Sequence, residues 1–183
     1  MDLSLILSNN KINKVYDTKF LGVIISYNLS WNKHIDVVLN KASKTVGIIA
    51  KVRHLLPPCA TRTLYLTLVE PYIKYCNIVW AQPEPTVKLD KILKIQKKYC
   101  RLITFSHFRA HSKPLFKQLS ILNVYQIYKF QLGLFMFKQT NNLLPPSCSF
   151  SFISISTIHD HYTRNHCNIY IRGCRTHRRQ MTA

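Results

Sequence analysis

At 183 residues the chain has room for one domain with a short appendage at either end. An apolar fraction of 47% beside a charged fraction of 18% excludes an ordinary disordered chain, because there is enough apolar surface to offset the entropy of ordering. Within the charged minority, 26 lysines and arginines stand against 7 acidic residues, a formal net charge of +19. That is far more than solubility requires, and a compact body so charged repels itself unless a polyanion neutralises it.

Nucleic acid is the first candidate partner. A membrane surface is disfavoured, since no apolar run reaches the roughly 18 residues of a bilayer span and no basic, apolar, small-residue leader opens the chain. Cys59, Cys76, Cys100, Cys148, Cys167 and Cys174 form no C-x-x-C pair. Without a secretory address they are expected to be reduced and buried, in an intracellular protein of cytoplasm or nucleus.

Phe20-Leu21-Gly22-Val23-Ile24-Ile25 is apolar and rich in β-branched residues, and reads as a buried strand with an exit turn over residues 26–30. Ile35, Val38, Leu39, Ala42, Val46 and Ile49 then recur at spacings of three and four, the stripe of an amphipathic helix. Pro57-Pro58 ends it. A second helical pattern starts near Cys59 with Leu64, Leu68, Tyr72 and Tyr75 on its face, and Pro71 should kink or divide it.

Pro83 and Pro85 mark the next break, and from Thr86 to Thr104 one helix face carries Leu89, Ile92, Leu93, Gln96, Tyr99, Cys100 and Ile103. Lys91, Lys94, Lys97, Lys98 and Arg101 occupy the other face. Ser112-Lys113-Pro114 predicts an N-cap and a first-turn proline for a short helix through Leu122. From Val124 to Lys138 apolar residues surround the wheel, which predicts a buried helix. Beyond Pro145-Pro146 the composition turns to Ser, Thr, His and Arg, as expected of an extended, weakly ordered tail.

Two-metal nucleotidyl transfer needs carboxylates that hold ions about 4 Å apart. Asp2, Asp17, Asp36, Glu70, Glu84, Asp90 and Asp160 form no D-D pair and no short-spaced cluster, so catalysis is not expected of this chain. In the tail, His159, His161, His166, Cys167, Cys174 and His177 could surround zinc, but no C-x-x-C or H-x-x-x-H unit repeats. A solvated basic tail is the competing reading. The lysine face has a bland reading too, as solvated surface; against it, no acidic residue follows Asp90 until Asp160, so the cations beyond Lys94 lack i,i+4 neutralisation. Tyr99, Phe105 and Phe108 lie beside these cations and are expected to be core, with stacking on bases as the alternative.

A series of short motifs occurs in order. Phe20-Leu21-Gly22-Val23 is followed by Leu29-Ser30-Trp31 with His34-Ile35, then Leu55-Leu56-Pro57-Pro58 and Leu64-Tyr65. Pro71-Tyr72-Ile73-Lys74-Tyr75-Cys76 with Trp80 comes next, then Ile95-Gln96-Lys97-Lys98 with Arg101-Leu102-Ile103-Thr104. Pro114-Leu115-Phe116, Leu119, Ile121-Leu122, Tyr128-Lys129, Asn142-Leu143-Leu144-Pro145-Pro146, and His159 with Tyr162-Thr163-Arg164 complete the series. Over about residues 20 to 176 this order resembles the region that follows the palm in reverse transcriptases of non-LTR retrotransposons, the jockey-like and chicken-repeat-like RNA-directed DNA polymerases.

The resemblance implies a mainly α fold: a helical thumb-like bundle with a short β remnant at the N-terminus and a poorly ordered tail. Residues 1–30 would be the palm-end strand remnant, with Phe20, Leu21, Gly22 and Val23 primer-grip-like and Gly22 close to the primer strand. Residues 31–143 would be the thumb and 144–183 the basic His/Cys/Ser-rich tail. The partner would be an RNA or DNA template–primer duplex, held through its phosphates by Lys88, Lys91, Lys94, Lys97, Lys98 and Arg101.

The family's catalytic Y/F-A-D-D turn is absent, and so is the G-P-x-L-W-N-like stretch expected after Thr176. No cofactor is expected in this chain, the magnesium belonging to the missing palm. Both ends therefore read as truncated, with Met1 an internal methionine of a degenerate element copy. A transcribed remnant without a role, and an independent basic nuclear binding protein, stand as alternatives.

Overall fold

The computed structural model describes residues 5–7, 10–12, 14–81, 87–146, 155–158, 160–161, 164 and 168–170. Among these, two antiparallel hairpins come first, β1 (Leu5–Leu7) with β2 (Asn10–Ile12) and β3 (Asp17–Phe20) with β4 (Val23–Ser26). Helices follow: α1 (Asn32–Val52), α2 (Pro58–Leu68), α3 (Glu70–Lys74), α4 (Asn77–Trp80), α5 (Val87–Ile103), α6 (Ser112–Gln118) and α7 (Val124–Thr140). The fold is mainly α, a helical bundle with short β hairpins at its N-terminal end.

The run from Phe20 to Ile25 is not one buried strand. Leu21 and Gly22 take φ of 45° and 85° and make a two-residue turn that sets Phe20 opposite Val23. Val23 is buried, whereas Phe20 and Leu21 are exposed. The β-branched composition indicates strand correctly, but Gly22 alone marks the turn. A Cβ on Gly22 would make only ordinary contact, 3.5 Å from Tyr75 Cε1, so the left-handed backbone rather than crowding favours glycine. Tyr75 Oη donates to the Leu21 carbonyl and fixes the tip.

Lys33 on α1 and Ser26 both donate to Asp17, and they hold its carboxyl below the usual range. This ties the second hairpin to the first turn of α1. His34 adds a second tie, its Nδ1 accepting from the Ile24 amide at 3.4 Å and its ring meeting Trp80 edge-on at 5.5 Å.

The predicted stripe of α1 is buried at Ile35, Val38, Ala42, Val46 and Ile49, and that of α5 at Leu89, Ile92, Gln96, Tyr99, Cys100 and Ile103. Lys88 Nζ reaches the Asn32 carbonyl and Asp36 at the start of α1, while Arg53 Nη1 reaches the Leu102 carbonyl at the other end. The two helices therefore lie side by side in the same direction, and the segment between them makes the return.

In that return, Pro58 is the first residue of α2, where its missing N–H costs nothing. The helix divides at Val69, with Pro71 in the first turn of α3. Its buried face is Thr61, Tyr65, Val69 and Ile73, one residue round from the predicted Leu64, Leu68, Tyr72 and Tyr75. The shift arises because Thr61 and Tyr65 enter the core with polar partners, which an apolar count does not credit.

Those partners converge on Gln96. Its Nε2 donates to Tyr65 Oη at 2.8 Å and to the Leu122 carbonyl at 3.2 Å, and its Oε1 accepts from the Val124 amide at 2.9 Å. Tyr99 Oη donates to the Thr61 carbonyl at 2.8 Å, and the Tyr65 and Tyr99 rings stack at 4.2 Å. Burial raises both phenol pKa values and pushes the neighbouring Cys100 thiol up to about 12. Of the other cysteines expected to be buried, Cys59 and Cys76 are exposed, and the remaining three lie outside the described residues.

Helix α6 is capped at His111, so Ser112 is its first helical residue rather than its cap, and it stops at Gln118, short of Leu122. Helix α7 begins with a capping box: the Asn123 side chain accepts from the Gln126 amide at 2.9 Å, and Gln126 returns the bond at 3.0 Å. The expectation that α7 is buried fails. Val124 and Ile127 are buried, but Phe130, Leu132, Leu134 and Phe137 are exposed, because the second half of α7 has no described layer over it.

Three helices end alike. Phe105, Ser120 and Asn142 take φ of 51°, 50° and 54°, and the amide after each bonds five residues back, Ser106 to Arg101, Ile121 to Phe116 and Leu143 to Lys138. Past α7, a short 3-10 turn at Ile155–Thr157 has the Ile155 amide donating to the Asn168 carbonyl at 2.9 Å. Most of the expected tail lies outside the described residues.

Gln96→Ala strands the Tyr65 hydroxyl and the Val124 amide, and should cost about 3 kcal/mol in urea unfolding. Gln118→Ala, on the exposed side of α6, should change stability by less than about 0.5 kcal/mol. His34 gives a pH dependence. Burial, with Lys41 adding to it, holds its imidazole below 6.5. The unfolded chain takes up that proton near pH 6.5 while the folded chain does not, so stability should fall as pH drops below about 6.5 until the folded value is passed. His34→Gln should flatten this part of the urea-midpoint profile; an unchanged slope would show that other groups carry it.

Candidate nucleic-acid interface

With its apolar stripe turned to the core, α5 presents its cations outward. Lys91, Lys94 and Lys98 are exposed at spacings of three and four, so they form one row with steps of about 5 Å along the axis. Lys97 is half-buried beside them.

The structure divides the six predicted phosphate contacts into two groups. Lys88 is occupied by Asp36 at 2.6 Å, and Arg101 Nε donates to the Ala110 carbonyl at 3.0 Å, fastening the loop after α5. Lys91, Lys94, Lys97 and Lys98 have no hydrogen-bond or ion-pair partner among the described residues.

The described acidic residues near the helices each have a partner, Asp90 lying on α5 itself beside Lys91. Glu70 pairs with Lys74 at 2.8 Å, and Asp90 accepts from the Tyr125 hydroxyl at 2.9 Å. Asp17 and Asp36 hold Lys33 and Lys88. They sit singly on separate elements, an arrangement that does not fit a two-ion carboxylate site. Among the described residues no three His, Cys, Asp or Glu side chains could share a metal ion. Of the zinc candidates only His161 is described; His159, Cys167, Cys174 and His177 lie outside the described residues.

The three aromatic residues near the ridge part company. Tyr99 is core, as expected, but Phe105 and Phe108 are 57% and 68% exposed. The Arg53 guanidinium lies over the Phe105 ring at 4.9 Å, with the His54 ring at 5.5 Å. Arg109 lies over Phe108 at 5.1 Å, with the His107 ring at 4.5 Å.

Arg53, His54, His107 and Arg109 were not among the predicted contacts. The alternation Phe105-Ser106-His107-Phe108-Arg109, just past a basic helix, was a usable signal for part of this cluster. That Arg53 and His54 join it depends on the parallel packing of α1 and α5, which no local pattern encodes. The hairpin tip predicted to be primer-grip-like, Phe20 to Val23, is held by Tyr75, and its hairpin is tied to the start of α1, which Lys88 links to the start of α5; the loop of Phe105 and Phe108 lies past the other end of that helix, which is about 25 Å long.

Comparison with known proteins finds no matching family model, no matching curated protein and no matching solved structure. Among the described residues no helix is long and apolar enough to cross a membrane.

The division of the six cations has a thermodynamic signature. Lys98 has Lys94 and Arg101 as like-charged neighbours on the helix, so Lys98→Gln should stabilise by about 0.5 kcal/mol at low ionic strength and by nothing measurable near 1 M salt. Arg101→Ala releases the Ala110 carbonyl and should destabilise by about 1–2 kcal/mol at either salt concentration. Paired melts at the two ionic strengths measure both.

Proposed function

We propose that this chain is the thumb region of a non-LTR retrotransposon reverse transcriptase and that it grips a template–primer duplex through its phosphates without catalysing synthesis. The observation that carries the reading is the row of Lys91, Lys94, Lys97 and Lys98, cationic side chains without a hydrogen-bond or ion-pair partner among the described residues, on a helix whose opposite face is locked in the core. Four like charges at spacings of three and four repel one another in the free protein, and phosphates would remove that repulsion while releasing counterions.

Such contacts read no base edges, so the grip is indifferent to sequence. Lys88 and Arg101 support it indirectly, holding the start of α5 against α1 and closing the loop at its end. The ordered motifs supply the family and the charge supplies the ligand. The hairpin tip at Phe20 to Val23 is then the primer-grip-like element, anchored by Tyr75.

Reversing Lys91, Lys94, Lys97 and Lys98 to glutamate should abolish binding to a blunt RNA–DNA hybrid at about 0.1 M salt. Single reversals should each lower the slope of log K against log salt by about 0.9. Fluorescence anisotropy across a salt series measures this, with circular dichroism as a check on folding. An unchanged slope would sink the ridge as the phosphate site, and an unfolded spectrum for the wild-type chain would favour the remnant without a role.

A further inference from the structure

We infer that the loop after α5, residues 104–111, is a stacking platform for unpaired nucleobases, built from Phe105 and Phe108 and flanked by Arg53 and Arg109. It deepens the proposed grip, resting on it only for where the unpaired bases come from: a strand leaving the duplex at the end of the lysine row.

The first observation is the pairing of exposed aromatic rings with cations. Phe105 and Phe108 are more than half exposed, each with a guanidinium about 5 Å from its ring centroid. A surface phenylalanine gains nothing from water. A base gains from the ring face by stacking and from the guanidinium by cation–π contact and charge.

Backbone strain is the second. Phe105 holds φ of 51°, the left-handed region in which a bulky residue is an outlier and glycine is at ease. The same helix ending is made by Ser120 and Asn142 elsewhere, so a bulky aromatic ring at this position is what sets the α5 end apart.

The third is that the loop is built rather than slack. Arg101 fastens it twice, through its side chain to the Ala110 carbonyl at 3.0 Å and through its own carbonyl to the Ser106 amide at 3.1 Å. Thr104 and Ser106 hydroxyls bond at 2.7 Å, the Ala110 amide closes a turn on the His107 carbonyl at 2.9 Å, and Arg53 is itself held by the Leu102 carbonyl at 3.0 Å. A ring presented from such a frame loses little freedom when a base stacks on it.

The shared chemistry is the face of a nucleobase, from either RNA or DNA. The test uses the full chain with a blunt RNA–DNA hybrid and with the same hybrid carrying a short overhang, in separate RNA and DNA arms, with 2-aminopurine in the overhang. Wild type should bind at least one of the overhang probes on the order of ten-fold more tightly than the blunt probe and quench the aminopurine. Phe105→Gly with Phe108→Ala should remove both effects and leave blunt binding within about two-fold. Phe105→Gly alone should melt no lower than wild type, because it relieves the left-handed strain, so lost stacking cannot be ascribed to misfolding.

No quenching by wild type in either arm, or quenching that survives both substitutions, would overturn the platform. So would polyglutamate binding that matches the overhang and is equally sensitive to the two phenylalanines. If blunt binding is absent while overhang quenching depends on Phe105 and Phe108, the platform stands and the duplex grip fails.

Discussion

The side chain of Gln96 is the point on which the helices agree. It sits fully buried on α5, between a tyrosine hydroxyl from α2 and the backbone at the start of α7. A buried amide is costly unless its donors and acceptor are used, and here its contacts belong to elements far apart in sequence. A rotation of α5 by one residue would break all of them together. The network therefore selects which face of α5 points inward, and in doing so decides which face is left for the lysines.

That selection accounts for what could be read in advance and what could not. On α1 and α5 the apolar period and the buried face coincide, so both stripes were legible, Gln96 included. On α2 the period pointed one residue away, since Thr61 and Tyr65 are held by hydrogen bonds that an apolar count cannot see. The turn at Leu21 and Gly22 was hidden inside an apolar run, and the helix ends at Phe105, Ser120 and Asn142 carry none of the glycine that would announce them. Helix α7 shows the opposite limit: an apolar wheel states a demand for cover, not that the cover is supplied within the described residues.

For the candidate interface, the lysine row was legible because it is local to one helix. The separation of Lys88 and Arg101 from the other four was not, because it depends on where Asp36 and Ala110 arrive in space. The aromatic pair was legible as residues and illegible as exposure. With Glu70 committed to Lys74, Asp36 to Lys88 and Asp90 to the Tyr125 hydroxyl, the positive charge on α5 is not an average property of a basic protein. It is concentrated in the row from Lys91 to Lys98, where Asp90 is the one acid on the same helix.

The parallel course of α1 and α5 has one more consequence. Peptide dipoles in two helices that point the same way add rather than cancel, leaving about half a positive charge at each start, beside the hairpin, and about half a negative charge at each finish. The arginines and histidines gathered at the finish, Arg53, His54 and Arg101 among them, are partly balanced by those carbonyl ends even in the free protein. The lysines midway along α5 are too far from either end to share in this. Under the proposed grip, the two ends of the row would therefore differ for a polyanion: the cations at the helix ends share their charge with the carbonyl ends, and the lysines midway do not.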